Sequence, residues 1–239
     1  SKKCIEIYNF YKNNFANRNN KITLFTSYLC DIHDEYIQEI LHKWKNLNPE
    51  YNILYFSDHD VKNFFKQTEY YNTYKQMKNG VAIADFFRIC YINKYGGYWF
   101  DIDLKPTKIM LPNIGNINLF DVGYNNISYM FIGGKPNQKL FNDVIKNVNK
   151  NILENIKDKK SCVMEITGPR IIQNLILEKL NIINKDGCLI GTKNTKTYLK
   201  DTNYEFNYTK LDIKKHKTNI YNLLQKKYKK MNYSFYNYI

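Results

Sequence analysis

The chain has 239 residues, 44% of them hydrophobic and 24% charged, and a formal net charge of +14. That is enough for one sizeable core, and the balance excludes a disordered or fibrous protein. No apolar run approaches the roughly 20 residues of a membrane span, and the start "SKKCIEIYNFYKNN" has neither the apolar core nor the cleavage site of a signal peptide.

In chain order, "KITLFTSYL" (21–29) reads as a first buried strand. The next stretch, 34–49, places Tyr36, Ile37, Ile40, Leu41 and Trp44 at helical spacing and stops at Pro49. "YNILYFS" (51–57) is a second strand, after which Asp58 is expected to cap a helix over "VKNFFKQ". A helix over 80–95 ends at Gly96-Gly97, and a strand over 98–101 follows. Residues 127–134 read as a strand and 137–152 as a helix. Pro169 opens another helix, where its missing N–H costs nothing. The tail after 193 is polar, aromatic and irregular. Alternating strands and helices with short connections predict an α/β fold with a mainly parallel sheet in one domain.

The charge is uneven. Residues 193–230 hold eleven Lys against Asp201, Glu205 and Asp212, a surplus of +8. No nucleic-acid-binding motif accompanies it, so no nucleic-acid partner is expected; most of these lysines read as a solvated surface, and an anionic membrane is a partner that the tail could meet. Abundant Lys, Asn, Ile and Tyr suit an AT-rich source such as a giant virus, a protist or an AT-rich bacterium. The five Cys (Cys4, Cys30, Cys90, Cys162, Cys188) are widely spaced and lack a CxxC, so a reducing compartment is the default, in the cytoplasm or in a soluble domain facing a lumen.

"NKYGGYWFDIDLKP" (93–106) ends an apolar strand on two carboxylates, Asp101 and Asp103. Burying uncompensated carboxylates is costly, so the pair needs a cation or donors nearby. Residues two apart in an extended chain point to one side, which would aim both at a hard divalent cation that keeps waters and takes further ligands from a phosphate. A strand's C-terminal end is also where α/β sheets bind ligands. Asp-x-Asp alone is a weak signal. A second one, Asp58-His59-Asp60, reads as a helix cap. Upstream, however, the apolar helix carries Asp85 and Arg88 three apart, hence on one face. Such residues are rarely fully buried unless paired.

"ADFFRICYINKYGGYWFDIDLKP" resembles the nucleotide-sugar-binding core of glycosyltransferase family 32. This is the group of α-1,6-mannosyltransferases and capsular polysaccharide sugar transferases; the glucosylating domains of large clostridial toxins are more distantly similar. The shared pattern is Asp-x-x-Arg, an aromatic residue, Gly-Gly, a short apolar strand and Asp-x-Asp. "KWKNLNPEYNILYFSDHD", "FIGGKPNQKLF" and "TGP" (167–169) resemble flanking segments of the family, and His216, Asn219 and Tyr221 match its C-terminal spacing of metal ligand, small polar residue and aromatic. The chain departs from the family where Thr26, Ser27 and Tyr28 replace its His and Trp on the first strand, where Tyr129 replaces an Asn, and where Tyr221 replaces a Trp.

The resemblance implies a GT-A fold, with a Rossmann-like mixed, mainly parallel sheet flanked by helices and a basic tail (193–239) closing over the donor site. It implies a metal-dependent retaining transferase that moves a hexose from a nucleotide-diphosphate sugar, a UDP-sugar in preference to GDP-mannose, to a glycan or protein acceptor. The cofactor would be Mn²⁺ or Mg²⁺, held by Asp101, Asp103 and His216. Asp103 would bind the cation directly, and Asp101 would hold the ribose and a metal-bound water. Asp85 and Arg88 would fix the hydroxyls of the donor sugar. Thr26, Ser27, Tyr28, Ala84, Asn219 and Tyr221 complete the expected donor contacts, Asn219 at the β-phosphate and Tyr221 at the leaving oxygen. A metal-dependent phosphoesterase and a non-catalytic basic sugar- or nucleic-acid-binding module are the alternatives.

Overall fold

The computed structural model describes residues 21–111, 117–121, 127–154, 163–179, 195–199, 204–210 and 219–228. The strands are β1 (Thr23–Tyr28), β2 (Asn52–Ser57), β3 (Gly97–Phe100), β4 (Ile117–Asp121), β5 (Ile127–Gly134), β6 (Thr195–Leu199) and β7 (Tyr204–Lys210). The helices are α1 (Glu35–Leu47), α2 (Asp58–Lys66), α3 (Tyr71–Gln76), α4 (Gly80–Tyr95), α5 (Lys139–Glu154), α6 (Val163–Ile166), α7 (Arg170–Lys179) and α8 (Asn219–Tyr228). The described strands form one sheet in the order β2-β1-β3-β5-β4-β7-β6.

β1 runs parallel to β2 and β3, and β4 runs parallel to β7, whereas β5 is antiparallel to β3 and β4, and β6 to β7. The sheet is therefore mixed, with parallel pairs no more numerous than antiparallel ones. The physical reason is local: no helix is described between β3 and β5, and a parallel neighbour needs a long crossover. This α/β arrangement with flanking helices fits the GT-A expectation.

Alternation along the strands sorts the core into two layers. Leu24, Tyr55, Tyr98 and Phe100 pack with Trp44 of α1 on one face, while Phe25, Phe56 and Trp99 pack with Phe87 and Tyr91 of α4 on the other. α4 is buried without a break from Asp85 to Ile92, as befits a helix lying between the sheet and other helices. Asn79 caps its start by accepting from Val81 N at 2.8 Å. Gly96 (φ 74°) and Gly97 (φ 109°) turn the chain from α4 into β3. A Cβ on Gly97 would also meet Thr23 O at 2.8 Å, so this turn needs glycine on both counts.

Several local features differ from the sequence expectation. Ser57, not Asp58, caps α2, because its side chain and that of Asp60 form a reciprocal capping box. Short α3 and β4 were not expected. The tail contains β6, β7 and α8, where Thr195, Thr197, Tyr204, Phe206 and Tyr208 supply strand-forming residues among the lysines. α8 docks on α1: Leu224 is fully buried in the α1-side core, and Lys227 Nζ donates to Asp34 Oδ2 at 2.7 Å. Among the described residues, no helix is long and apolar enough to cross a membrane.

Candidate functional site

β3 delivers its last residues to a turn. Asp101 N still donates to Met130 O of β5 at 2.8 Å, but Leu104 N then donates back to Asp101 O at 3.0 Å. Asp101 and Asp103 thus belong to a tight turn rather than to the extended strand that the sequence led us to expect. Ile102 and Leu104 are buried in the α1-side core and anchor the turn, while both carboxylate residues stay partly exposed. Downstream, fully buried Asn48 pins the chain: it accepts from Ile109 N at 2.7 Å and donates to Thr107 O at 2.9 Å. A Lys108–Glu50 ion pair fastens the same segment.

Arg88 organises the other side. Its Nε donates to Ala84 O at 3.1 Å and its Nη1 to Tyr129 O at 2.6 Å. Nη1 lies 3.2 Å from Asp101 Oδ1, and Nη2 lies 3.2 Å from Asp85 Oδ1. The guanidinium stacks on Trp99, 4.3 Å from the ring centroid, and Trp99 Nε1 donates to Asp101 Oδ1 at 2.7 Å. Each of the three guanidinium nitrogens thus has a partner inside the protein. The fork expected to hold sugar hydroxyls is turned inward here, and it bridges two carboxylates instead.

Asp85 is buried. Its Oδ1 belongs to Arg88, and among the described residues its Oδ2 has only a long contact, 3.5 Å, from Thr167 Oγ1. Burial pushes its carboxyl up to about 6; Arg88 and Thr167 pull it down, and the nearby Asp101 charge adds to the rise. Thr167 reaches Asp85 because Gly168 folds tightly on α6, where a Cβ would meet Met164 Cα at 2.6 Å. Tyr129 lines the same place. Its ring is buried, its hydroxyl has no hydrogen-bond partner among the described residues, and burial holds its phenol well above the usual range.

The β1 residues divide. Thr26 is fully buried, and its hydroxyl has no partner among the described residues. Ser27 and Tyr28 are half-buried at the strand's C-terminal end. Ser27 lies two residues beyond Phe25, the last β1 residue paired with β3. Ala84 is half-buried and contributes its carbonyl to Arg88. His216 lies outside the described residues. Asn219 and Tyr221 fall in the first turn of α8 rather than in a loop, and their side chains are outside the described residues.

Sequence reasoning missed Trp99 and Thr167 as polar partners in the cluster, and it noted Tyr129 only as a replacement for an Asn. "TGP" was a signal for Thr167. Trp99 looked like one more apolar core residue. Among the described residues, no three His, Cys, Asp or Glu side chains gather as a metal centre. The two carboxylates of the turn nevertheless fit a hard cation, being oxygen donors that stay partly exposed. Asp101 Oδ2 has no hydrogen bond among the described residues, since both Arg88 and Trp99 take Oδ1.

No curated protein matches the chain. A solved structure, the PaToxG Glycosyltransferase, is similar at 17% identity with a TM-score of 0.49, over 78% of this chain and 80% of that one. Residues 34–121 match the family model described as "Glycosyltransferase sugar-binding region containing DXD motif". The segment carrying Asp85, Arg88, Asp101 and Asp103 is therefore similar to a DXD sugar-binding region of glycosyltransferases.

Proposed function

We propose that the protein is a metal-dependent retaining glycosyltransferase. It takes a hexose from a nucleotide-diphosphate sugar, a UDP-sugar in preference to GDP-mannose, and transfers it to a glycan or protein acceptor. The supporting observation is the Asp85–Arg88–Asp101 bridge, which lies at the C-terminal ends of the strands and inside the matched region.

Asp103 and Asp101 would hold Mn²⁺ or Mg²⁺, which when bound neutralises charge on the diphosphate. Asp85 accepts from a sugar hydroxyl through Oδ2, the oxygen with only the long Thr167 contact. Arg88 fixes the two carboxylates relative to each other. Ser27, Tyr28 and Ala84 line the donor. The bond from the anomeric carbon to the diphosphate oxygen breaks, and a bond to the acceptor oxygen forms on the same face. The acceptor's proton passes to the departing diphosphate, so no side chain is assigned as nucleophile.

The tail closes over the donor in this reading. His216 adds a metal ligand, Asn219 meets the β-phosphate and Tyr221 donates to the leaving oxygen. The Lys227–Asp34 clamp supports it, because Asp34 follows the C-terminal end of β1 and so anchors α8 on the ligand side of the sheet.

The test is incubation with a panel of UDP- and GDP-sugars plus Mn²⁺. Slow, metal-dependent release of the nucleotide diphosphate from one of them is expected. Cleavage of generic phosphoesters, or inertness toward every donor, would contradict the proposal.

A further inference from the structure

The chain has two tryptophans, both buried, and they are used differently. Trp44 packs on Phe100 with ring centroids 4.5 Å apart, and its indole N–H has no hydrogen-bond partner among the described residues. Trp99 is wedged edge-on against Phe25 and Phe87, at 5.5 and 6.4 Å. Packing alone would be met at either position by another large apolar ring. What packing does not require is the N–H of Trp99, which donates to Asp101 Oδ1 at 2.7 Å.

That hydrogen bond is charge-assisted, roughly twice as strong as a neutral one, and its donor is held rigid by the surrounding rings. Trp99 also carries Arg88 on its face at 4.3 Å, and Arg88 approaches the same oxygen, Asp101 Oδ1, at 3.2 Å. One indole therefore sets both cationic and neutral donors on one carboxylate oxygen. The strand geometry makes this possible, because Trp99 and Asp101 are two residues apart and reach the α4 side of the sheet together.

We propose that Trp99 is a positioning residue for Asp101 of the cation-binding turn. Its N–H and the stacked Arg88 together immobilise Asp101 through Oδ1, and Oδ2 is the oxygen left for the donor complex. This rests on the reading that the Asp101–Asp103 turn binds a divalent cation. Partners of this kind orient metal ligands, and their loss typically weakens metal binding roughly 10- to 100-fold.

Mn²⁺ binding to the full chain in the presence of UDP, read from the electron paramagnetic resonance signal of free Mn²⁺, tests it. Trp99→Phe should bind Mn²⁺ about 10- to 100-fold more weakly than the wild type. Trp44→Phe deletes an equally buried indole whose N–H has no partner, and it should bind normally. Equal affinity of Trp99→Phe and wild type, or equal losses in both variants, would overturn the proposal. Wild type that binds no Mn²⁺ with UDP would overturn the cation reading beneath it, and the proposal with it. A second measurement does not need Trp99→Phe to fold. In the Trp44→Phe chain, Trp99 is the sole tryptophan, and saturating Mn²⁺ with UDP should quench its emission; unchanged emission would overturn the proposal.

Discussion

Arg88 and Asp101 meet at 3.2 Å where α4 and β3 come together, and the same guanidinium holds Asp85 at 3.2 Å. Two buried or half-buried carboxylates are thereby tied to one cation. A pair of this kind needs further hydrogen bonds to be worth its desolvation, and Ala84 O and Tyr129 O supply them. The bridge links the residue assigned to the sugar with one assigned to the metal, so the two ends of a donor would be held in one rigid frame.

Arg88→Lys should be far more damaging than its retained charge suggests. The single nitrogen of an ammonium cannot serve the two carboxylates and two carbonyls that Arg88 reaches from three fixed nitrogens. The expected loss is on the order of 1–3 kcal/mol of folding stability, from buried acceptors left unpaired, together with a fall of roughly 100-fold or more in kcat/KM. Arg170→Lys is the control, because Arg170 is half-exposed and, among the described residues, pairs with Glu165 at 2.5 Å. Denaturant midpoints and donor turnover for the two variants check this; equal behaviour would remove the bridge from the site.

Asp85 should leave a signature in the pH dependence of stability. Its carboxyl is pushed from 3.8 up to about 6 by burial, so the folded state binds a proton more tightly than the unfolded one. Its contribution is fully present below about 3.8 and is lost as pH rises through about 6. The swing is on the order of 3 kcal/mol. Unfolding midpoints of wild type and Asp85→Asn, measured in chelator across that window, should diverge in slope, with the variant flatter. Parallel curves would mean that Asp85 ionises as an ordinary surface carboxylate.

His216 should matter to the metal only when nucleotide is present, since tail and donor would order together. In a Mn²⁺ titration with UDP, His216→Ala is expected to bind at least about tenfold more weakly than wild type. An unchanged affinity would take His216 out of the site.

The Lys227–Asp34 clamp should hold α8 in place. Lys227→Met is expected to speed amide exchange across residues 219–228 while leaving α1 protected, because Asp34 Oδ1 still caps α1 through Tyr36 N and Ile37 N. Equal exchange in wild type and variant would show that the clamp is not what holds the helix.

What was legible in the sequence was what is local. The apolar helix with Asp85 and Arg88, the glycine turn and the carboxylates after β3 all lie within one short stretch, and each has a periodic or steric signal. The Arg88–Asp101 bridge was not legible, because it depends on a turn that only the burial of Ile102 and Leu104 creates. Thr167 comes to Asp85 from 82 residues away, and no local pattern announces that. Trp99 resembled its core neighbours, since an indole in an apolar strand gives no hint of where its N–H points. The resemblance implied a mixed sheet, but the antiparallel place of β5 between β3 and β4 was not legible, because hydrophobic alternation cannot assign strand partners. β6 and β7 were hidden by Lys and Asn, which obscured their alternating Thr and Tyr.

The central claim is tested most directly by Asp103→Ala. Metal-dependent release of UDP from a UDP-sugar should be measured for wild type and variant, with thermal unfolding of each in chelator. The account predicts that activity falls to a few per cent or less while the unfolding midpoint is unchanged or higher, because the substitution removes one negative charge from beside Asp101. Full Mn²⁺-dependent activity in the variant would contradict it.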